Sequence, residues 1–361
     1  MDKKLRAGIL GATGLVGQHF AAMLENHPWF TVVTVAASPQ SAGKSYEKAA
    51  SWRMPSPVPA KVRSMTVRSV EEDLKAIAHE TDVLFSAFDM DKERTKEVES
   101  CYAAAGAAVV STNSAHRWTE DVPLIMPEIN PDHLSLIDVQ RKRRGWENGL
   151  LVVKPNCSLQ SYVPIIHALR QFHPLQVSVT MMQALSGAGK LFDTWPEMLD
   201  NVIPYIGGEE EKTESEPMKI LGAISNGAIE PAKVPAISST CVRVPVTYGH
   251  MASVAVKFQS KPTASDFLAA LDSFENPLDG LNLPTAPAKF ITYFEDLDRP
   301  QTKTDRDLAG GMGIACGRLR EDPLFDWKFI SLSHNSVRGA AGGAILTAEL
   351  LVKRGYIRAK R

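Results

Sequence analysis

No run of about twenty consecutive apolar residues occurs in this sequence, so no membrane-spanning helix is expected. An excess of charge of either sign is also missing: 40 basic against 41 acidic residues leave a formal net charge of -1. Such a balance gives no global attraction for nucleic acid or for an anionic membrane, and favours a small-molecule partner. Cysteine is scarce. Cys101, Cys157, Cys241 and Cys316 lie far apart, which matches neither a disulfide framework nor the paired spacing of a zinc site. A reducing cytoplasm is the expected setting, with no metal, and three of the four cysteines read as packing. The early apolar stretch Leu5 to Leu10 is too short and too close to a Gly-rich turn to be a signal peptide.

What is present is a chain of 361 residues, 44% of them hydrophobic, longer than one core usually supports. Up to about residue 155, short apolar runs alternate with helical patterns, the signature of β-α-β units and a parallel sheet. The strands are read at Arg6 to Leu10, Thr31 to Ala37, Asp82 to Phe88, Ala107 to Ser111 and Leu150 to Val153. Helices are read at Val16 to Asn26, Val70 to Glu80 and Asp91 to Ala105. Residues 52–64 are Pro-rich and read as a loop. After Cys157 longer alternating strands, such as Gln176 to Gln183 and Val242 to Phe258, point to a mixed or antiparallel sheet. The expected division is a first domain over 1–155, a second over 156–334, and a final helix within 335–361 that returns to the first. The basic run Arg141 to Arg144 stands alone and reads as a solvated helix end.

Gly11-Ala12-Thr13-Gly14-Leu15-Val16-Gly17 follows a strand and opens a helix, the context a dinucleotide fingerprint requires. Glycines there allow a tight turn and let a pyrophosphate approach backbone N–H groups at a helix N-terminus. An NAD-preferring site usually carries an Asp or Glu near the end of the second strand; here that region reads Ala37-Ser38-Pro39-Gln40-Ser41-Ala42-Gly43-Lys44. The missing carboxylate, with Ser38, Ser41 and Lys44 available to a phosphate, points to NADP.

Pro155-Asn156-Cys157-Ser158 lies between a strand and a largely apolar helical stretch, a junction that can raise the thiolate fraction of a cysteine. Taken alone, a single cysteine is more often structural. Cys241-Val242-Arg243-Val244-Pro245 would place Cys241, Arg243 and Pro245 on one strand face, and Tyr248-Gly249-His250 then makes a turn that can aim an imidazole. A second small-residue loop, Gln183 to Lys190, follows another strand and could lie against a flat ring or be a plain loop. The cluster Glu209-Glu210-Glu211-Lys212 reads, by itself, as a solvated helix start.

The ordered set GATGLVG, PNCS, QALSGAGK, GGEEEK, CVRVPVTYGH and NSVRGAAGG resembles the aspartate-semialdehyde dehydrogenase family, in particular its archaeal and fungal branch, over nearly the whole chain. The resemblance implies an α/β fold, a Rossmann-type NADP-binding domain plus an α+β catalytic and dimerisation domain like that of glyceraldehyde-phosphate dehydrogenase. It implies Cys157 as nucleophile, Gln183 orienting the acyl group, Arg243 on the substrate carboxylate and His250 as acid-base. Glu210 would bond the substrate ammonium, while Lys212, Asn113 and Arg117 would hold phosphate. The cofactor would meet Gly11, Thr13, Gly14, Leu15, Val16, Gly17, Ser38, Ser41, Ser186, Gly187, Gly189 and Asn335.

The activity so implied is NADPH-dependent reduction of L-aspartyl 4-phosphate in lysine, threonine and methionine biosynthesis, by a homodimer or homotetramer. Two departures from the family stand out: Gln40 occupies a position where arginine is frequent, and Leu159 follows Ser158 where threonine is usual after the nucleophile's motif. A malonyl-CoA reductase of the same fold is the nearest alternative. A non-catalytic NADP-binding sensor is the alternative of another class, and it leaves Cys157, Arg243 and His250 together unexplained.

Overall fold

The computed structural model describes residues 4–360. Six strands form a parallel sheet: β1 (Leu5–Leu10), β2 (Phe30–Ala37), β3 (Arg68–Ser69), β4 (Val83–Ser86), β5 (Ala108–Ser111) and β6 (Leu150–Val153). Their order, β3-β2-β1-β4-β5-β6, reverses direction between β1 and β4, the place where doubly wound sheets open a crevice for ligands. Strand alternation splits the side chains between two cores. Ile9, Phe85, Val110 and Val152 pack under the first helix and the last one, whereas Leu10, Leu84, Val109 and Val153 face the other way. The two-residue strand β3 gave no periodic signal, and β4 ends at Ser86, so Ala87 and Phe88 already belong to the crevice wall.

Two acidic residues shape the helices of this half. Asp91 caps the helix Lys92–Ala104 by accepting from the Arg94 N–H, and Asp121 takes a bidentate bond from Arg144. Arg143 pairs with Glu120 and Arg141 bonds backbone carbonyls, so the three arginines of the basic run have protein partners while Lys142 is exposed.

The second sheet is mixed. It comprises β7 (Pro174–Gln183), β10 (Ala236–Arg243), β11 (His250–Phe258), β12 (Ile291–Phe294), β13 (Ile314–Glu321) and β14 (Trp327–Ser333), in the order β10-β7-β11-β14-β13-β12. A small hairpin, β8 (Ala223–Ser225) and β9 (Ala228–Glu230), stands apart. The stretch expected as one strand from Val242 to Phe258 is two. The chain leaves the sheet after Arg243 and re-enters at His250, and Gly249, at φ +98°, makes the bend that a side chain would strain. Pro245, expected beside Arg243 on a strand face, is therefore an exposed loop residue.

One face of the mixed sheet packs Val177, Val179, Val254 and Phe329 against the helix Leu159–Ala168, in a core continuous with that under the first sheet. Pro164 sits inside that helix. The opposite face is open: Ser178, Thr180, Ser238 and Thr240 are exposed in adjacent register. The last helix, Gly342–Lys353, lies against β4 and β5 of the first sheet. Among the described residues no helix is long and apolar enough to cross a membrane.

Candidate functional site

Register alone assembles most of the site. β7 and β10 run parallel with Gln183 opposite Arg243, and the antiparallel β11 starts at the same edge with Met251 opposite Met182. Gln183, Arg243 and His250 thus converge at one end of the mixed sheet, where the β6 segment ends in Cys157. His250 is fully buried, and its Nε2 is 3.3 Å from the Cys157 Sγ. The Ala184 backbone N–H donates to His250 Nδ1 at 3.1 Å. A neutral imidazole accepting at Nδ1 carries its proton on Nε2, so His250 presents a donor to the sulfur.

Burial pushes the Cys157 thiol up to about 11; Glu209 adds to the push, and Lys154, Arg117 and Arg243 pull the other way. Burial, aided by Arg243, draws His250 down to about 3. Both shifts favour the uncharged forms, thiol and imidazole. Cys157 is the only one of the four thiols beside a histidine among the described residues. Cys241 and Cys316 are buried packing, but Cys101 is exposed on a helix surface rather than packed.

The acidic cluster divides in a way its sequence did not show. It forms the first turn of the helix Glu209–Ile220, and helical phase turns only Glu209 toward the thiol. Glu209 accepts from Asn156 Nδ2 at 3.0 Å, Gln183 Nε2 at 2.9 Å and Lys212 Nζ at 2.8 Å. Burial alone would raise its pKa, but Lys212 and these bonds outweigh it and hold the group below its ordinary value. Glu210, expected at the substrate ammonium, instead accepts the Cys241 backbone N–H on the edge strand β10, so the carboxylate at the site is Glu209. The i, i+3 spacing of Glu209 and Lys212 was the available signal.

Arg243 is buried, with one Nη donating to the Ala184 carbonyl at 2.7 Å. Its remaining donors have no protein acceptor among the described residues. Arg117 is also buried but differently employed: it pairs with Glu216 at 2.8 Å and donates to the carbonyls of Lys154 and Thr112. Asn113 bonds Glu99 and Ser86. Lys212 is the cation at this end that is partly open to solvent. The Asn156 amide nitrogen is held by Glu209, and its oxygen accepts from Ser158.

The glycine loop fits a dinucleotide on steric grounds. Gly11 sits at φ +82°, and a Cβ on it would lie 2.5 Å from the Ala87 and Phe88 backbone. A Cβ on Gly17 would meet the Gly11 carbonyl at 2.2 Å. Gly14 is exposed at the N-cap of the helix Leu15–Leu24, with no side chain covering the free N–H groups, and Thr13 and Val16 flank it half-buried. Leu15 is buried beneath the loop. Ser38 is exposed and Ser41 half-buried in the turn after β2. Across the crevice, Gly187 has no room for a side chain, since a Cβ would lie 2.9 Å from Arg243 Nη1 and 3.0 Å from the His250 ring. Gly189 turns the same loop at φ +68°. Asn335 fastens it, accepting from Gly249 N–H at 2.8 Å and donating to Ser186 Oγ at 2.9 Å.

Lys154, buried just after β6, had no signal in the sequence. Gly339, whose motif NSVRGAAGG was legible but whose role was not, lies in a single π-helical turn over Val337–Ala341 and packs on Cys157 so closely that a Cβ would lie 2.7 Å from its Cβ.

Known proteins match this arrangement end to end. A family model described as "Semialdehyde dehydrogenase, NAD binding domain" matches residues 6–137, and one described as "Semialdehyde dehydrogenase, dimerisation domain" matches residues 164–338. The aspartate-semialdehyde dehydrogenase of Archaeoglobus fulgidus is 45% identical over 97% of this chain and 98% of its own. That of Schizosaccharomyces pombe is 39% identical over 98% and 99%. The crystal structure of aspartate semialdehyde dehydrogenase with NADP from Candida albicans superimposes with a TM-score of 0.87 at 35% identity, covering 98% of this chain and all of that one.

Proposed function

The chain belongs to the semialdehyde dehydrogenase family, and on that premise we propose that it reduces L-aspartyl 4-phosphate to L-aspartate 4-semialdehyde with NADPH, through a thioester on Cys157. The observation that carries the reading is the pairing of Arg243 and Glu209 on either side of the Cys157–His250 contact. One cation and one anion flanking a nucleophile complement the carboxylate and ammonium of an α-amino acid. A malonyl-CoA reductase has less use for an ammonium-binding carboxylate, and a sensor leaves Cys157, Arg243 and His250 together unexplained.

The residues act as follows. Cys157 attacks the acyl carbon as its thiolate, the acyl C–O bond to phosphate breaks, and phosphate departs toward Lys212, with Arg117 adding positive charge from the interior. Gln183, tied to Glu209, orients the acyl group. The glycine loop would hold NADPH, with Ser186, Gly187 and Asn335 lining its nicotinamide end, and the cofactor would supply the hydride. The Nε2–H of His250 hydrogen-bonds the alkoxide that forms on the thioester carbon without giving up its proton, and that alkoxide collapses to the aldehyde as the C–S bond breaks and the Cys157 thiolate is regenerated. Ser38, Ser41 and Lys44 face the additional phosphate of NADP.

The dimerisation domain makes this a homo-oligomer. A homodimer formed through the open face of the mixed sheet follows from its exposed rows of small side chains, Ser178 with Ser238 and Thr180 with Thr240. Light scattering after gel filtration reads the mass.

The purified enzyme is assayed in the oxidative direction with L-aspartate semialdehyde, phosphate and NADP, and in the reductive direction with malonyl-CoA and NADPH. Turnover of the first and not the second is expected. Turnover of malonyl-CoA alone would refute the substrate assignment and leave the thioester chemistry standing.

A further inference from the structure

Lys154 is buried among groups that already have partners. It directly follows β6, three residues before Cys157, with 2% of its surface exposed, and its stem lies where a side chain on Gly343 would have to go. The only acceptor of its ammonium among the described residues is the Pro155 carbonyl, at 3.2 Å. Facing it are Cys157, the cations Arg338 and Arg117, and the carboxylate of Glu216. Glu216 is taken by Arg117, and Arg338 is taken by Glu128 at 2.6 Å. A buried cation left without a carboxylate is costly, and such groups persist where their charge is used.

The charges around the sulfur show where this one is used. Facing Cys157 are Glu209, Lys154, Arg117, Arg243 and His250. Glu209 holds Lys212, Arg117 holds Glu216, and the histidine is a neutral donor. Arg243, on the reading above, is neutralised by the substrate carboxylate. With substrate bound, Lys154 is left as the uncompensated cation beside the thiol among the described residues.

Resting on the reading of Cys157 as nucleophile, we propose that Lys154 is a positioning residue for the reaction, the internal counter-charge that lets the sulfur stand as a thiolate beside an uncharged His250. It touches neither substrate nor cofactor and acts through the sulfur alone. Burial has drawn the lysine down to about 7 while the neighbouring sulfur pushes it up again and the lysine pulls the sulfur down, so each charge favours the other.

The test uses the full enzyme and the variants Lys154→Met and Lys154→Gln, with folding checked by circular dichroism and NADPH binding. Alkylation of Cys157 by iodoacetamide is followed against pH, the modified peptide being quantified by mass. Loss of the counter-charge is expected to move the alkylation midpoint up by about one pH unit, giving about ten-fold slower labelling at neutral pH. The value of kcat should fall in step with unchanged KM for L-aspartate semialdehyde, and should recover as pH is raised. A midpoint that stays in place in either folded variant, or a loss of kcat that high pH does not restore, overturns the proposal. Failure of the nucleophile reading is separable: Cys157→Ser would then stay active, whatever Lys154 does to the alkylation profile.

Discussion

Two strand-to-helix junctions lie at the same edge of the first sheet and solve opposite problems. The one after β1, Gly11 to Gly17, carries no ionisable side chain and leaves its helix N-terminus exposed. It offers bare backbone N–H groups to an anion. The one after β6, Lys154 to Ser158, is crowded with Lys154, Asn156 and Cys157, and draws Glu209, Glu216 and His250 onto it. There the backbone is covered and side chains do the chemistry. Binding a diphosphate requires shape and empty space; making a nucleophile requires charges held at fixed positions in a dry interior.

Substitutions at the second junction should have the larger effects. Cys157→Ser is expected to lower kcat by about a thousand-fold or more, with NADPH affinity unchanged in a fluorescence titration, because a serine alkoxide is far harder to form than a thiolate. Alanine at Cys101, Cys241 or Cys316 should leave kcat within a few-fold. A serine enzyme of substantial activity would remove the contrast between the junctions altogether.

Glu209→Gln comes next, with kcat/KM for L-aspartate semialdehyde lowered by about a hundred-fold and its advantage over the analogue lacking the amino group narrowed. Glu210→Gln should cost about three-fold at most, since that carboxylate serves a strand edge. Equal effects of the two would mean that helix phase does not decide which glutamate meets the substrate.

At the first junction, Gly17→Ala should raise KM for NADP by about ten-fold, because its Cβ must displace a carbonyl. Gly14→Ala, whose Cβ would meet its nearest neighbour at 3.5 Å, should change it little. Steady-state kinetics on the pair distinguishes a loop that needs space everywhere from one that needs it at the helix–strand contact. The smallest effect expected is that of Gln40→Arg, an exposed position, which should improve the ratio of kcat/KM for NADP over NAD by about three-fold.

The same contrast explains what could be read from the chain in advance. The first junction is local: its glycines are within seven residues and directly follow an apolar strand, so spacing reports its role. Strands of the first sheet were legible to within a residue or two for the same reason, whereas β3 is too short to show a period. The second junction is assembled from residues 26 to 93 positions beyond Cys157, at Gln183 and His250, which only sheet register brings together. Their types were legible through motifs; their mutual geometry was not. Three consecutive glutamates are chemically equivalent in sequence, and only the rotation of their helix against β10 selects Glu209. Lys154 ran against the expectation that lysines are solvated, and its burial follows from the last helix closing over it.

That last helix has a consequence for biosynthesis of the chain itself. Ile345, Leu346, Leu350 and Leu351 complete one face of a sheet whose first strand begins at Leu5. A nascent chain must therefore carry the six strands of that sheet with part of an apolar face uncovered until the residues beyond 342 have been made, and the first sheet cannot complete its packing before then. Truncation ahead of residue 342 would remove more than a tail, since it would strip the glycine loop's own sheet of its cover.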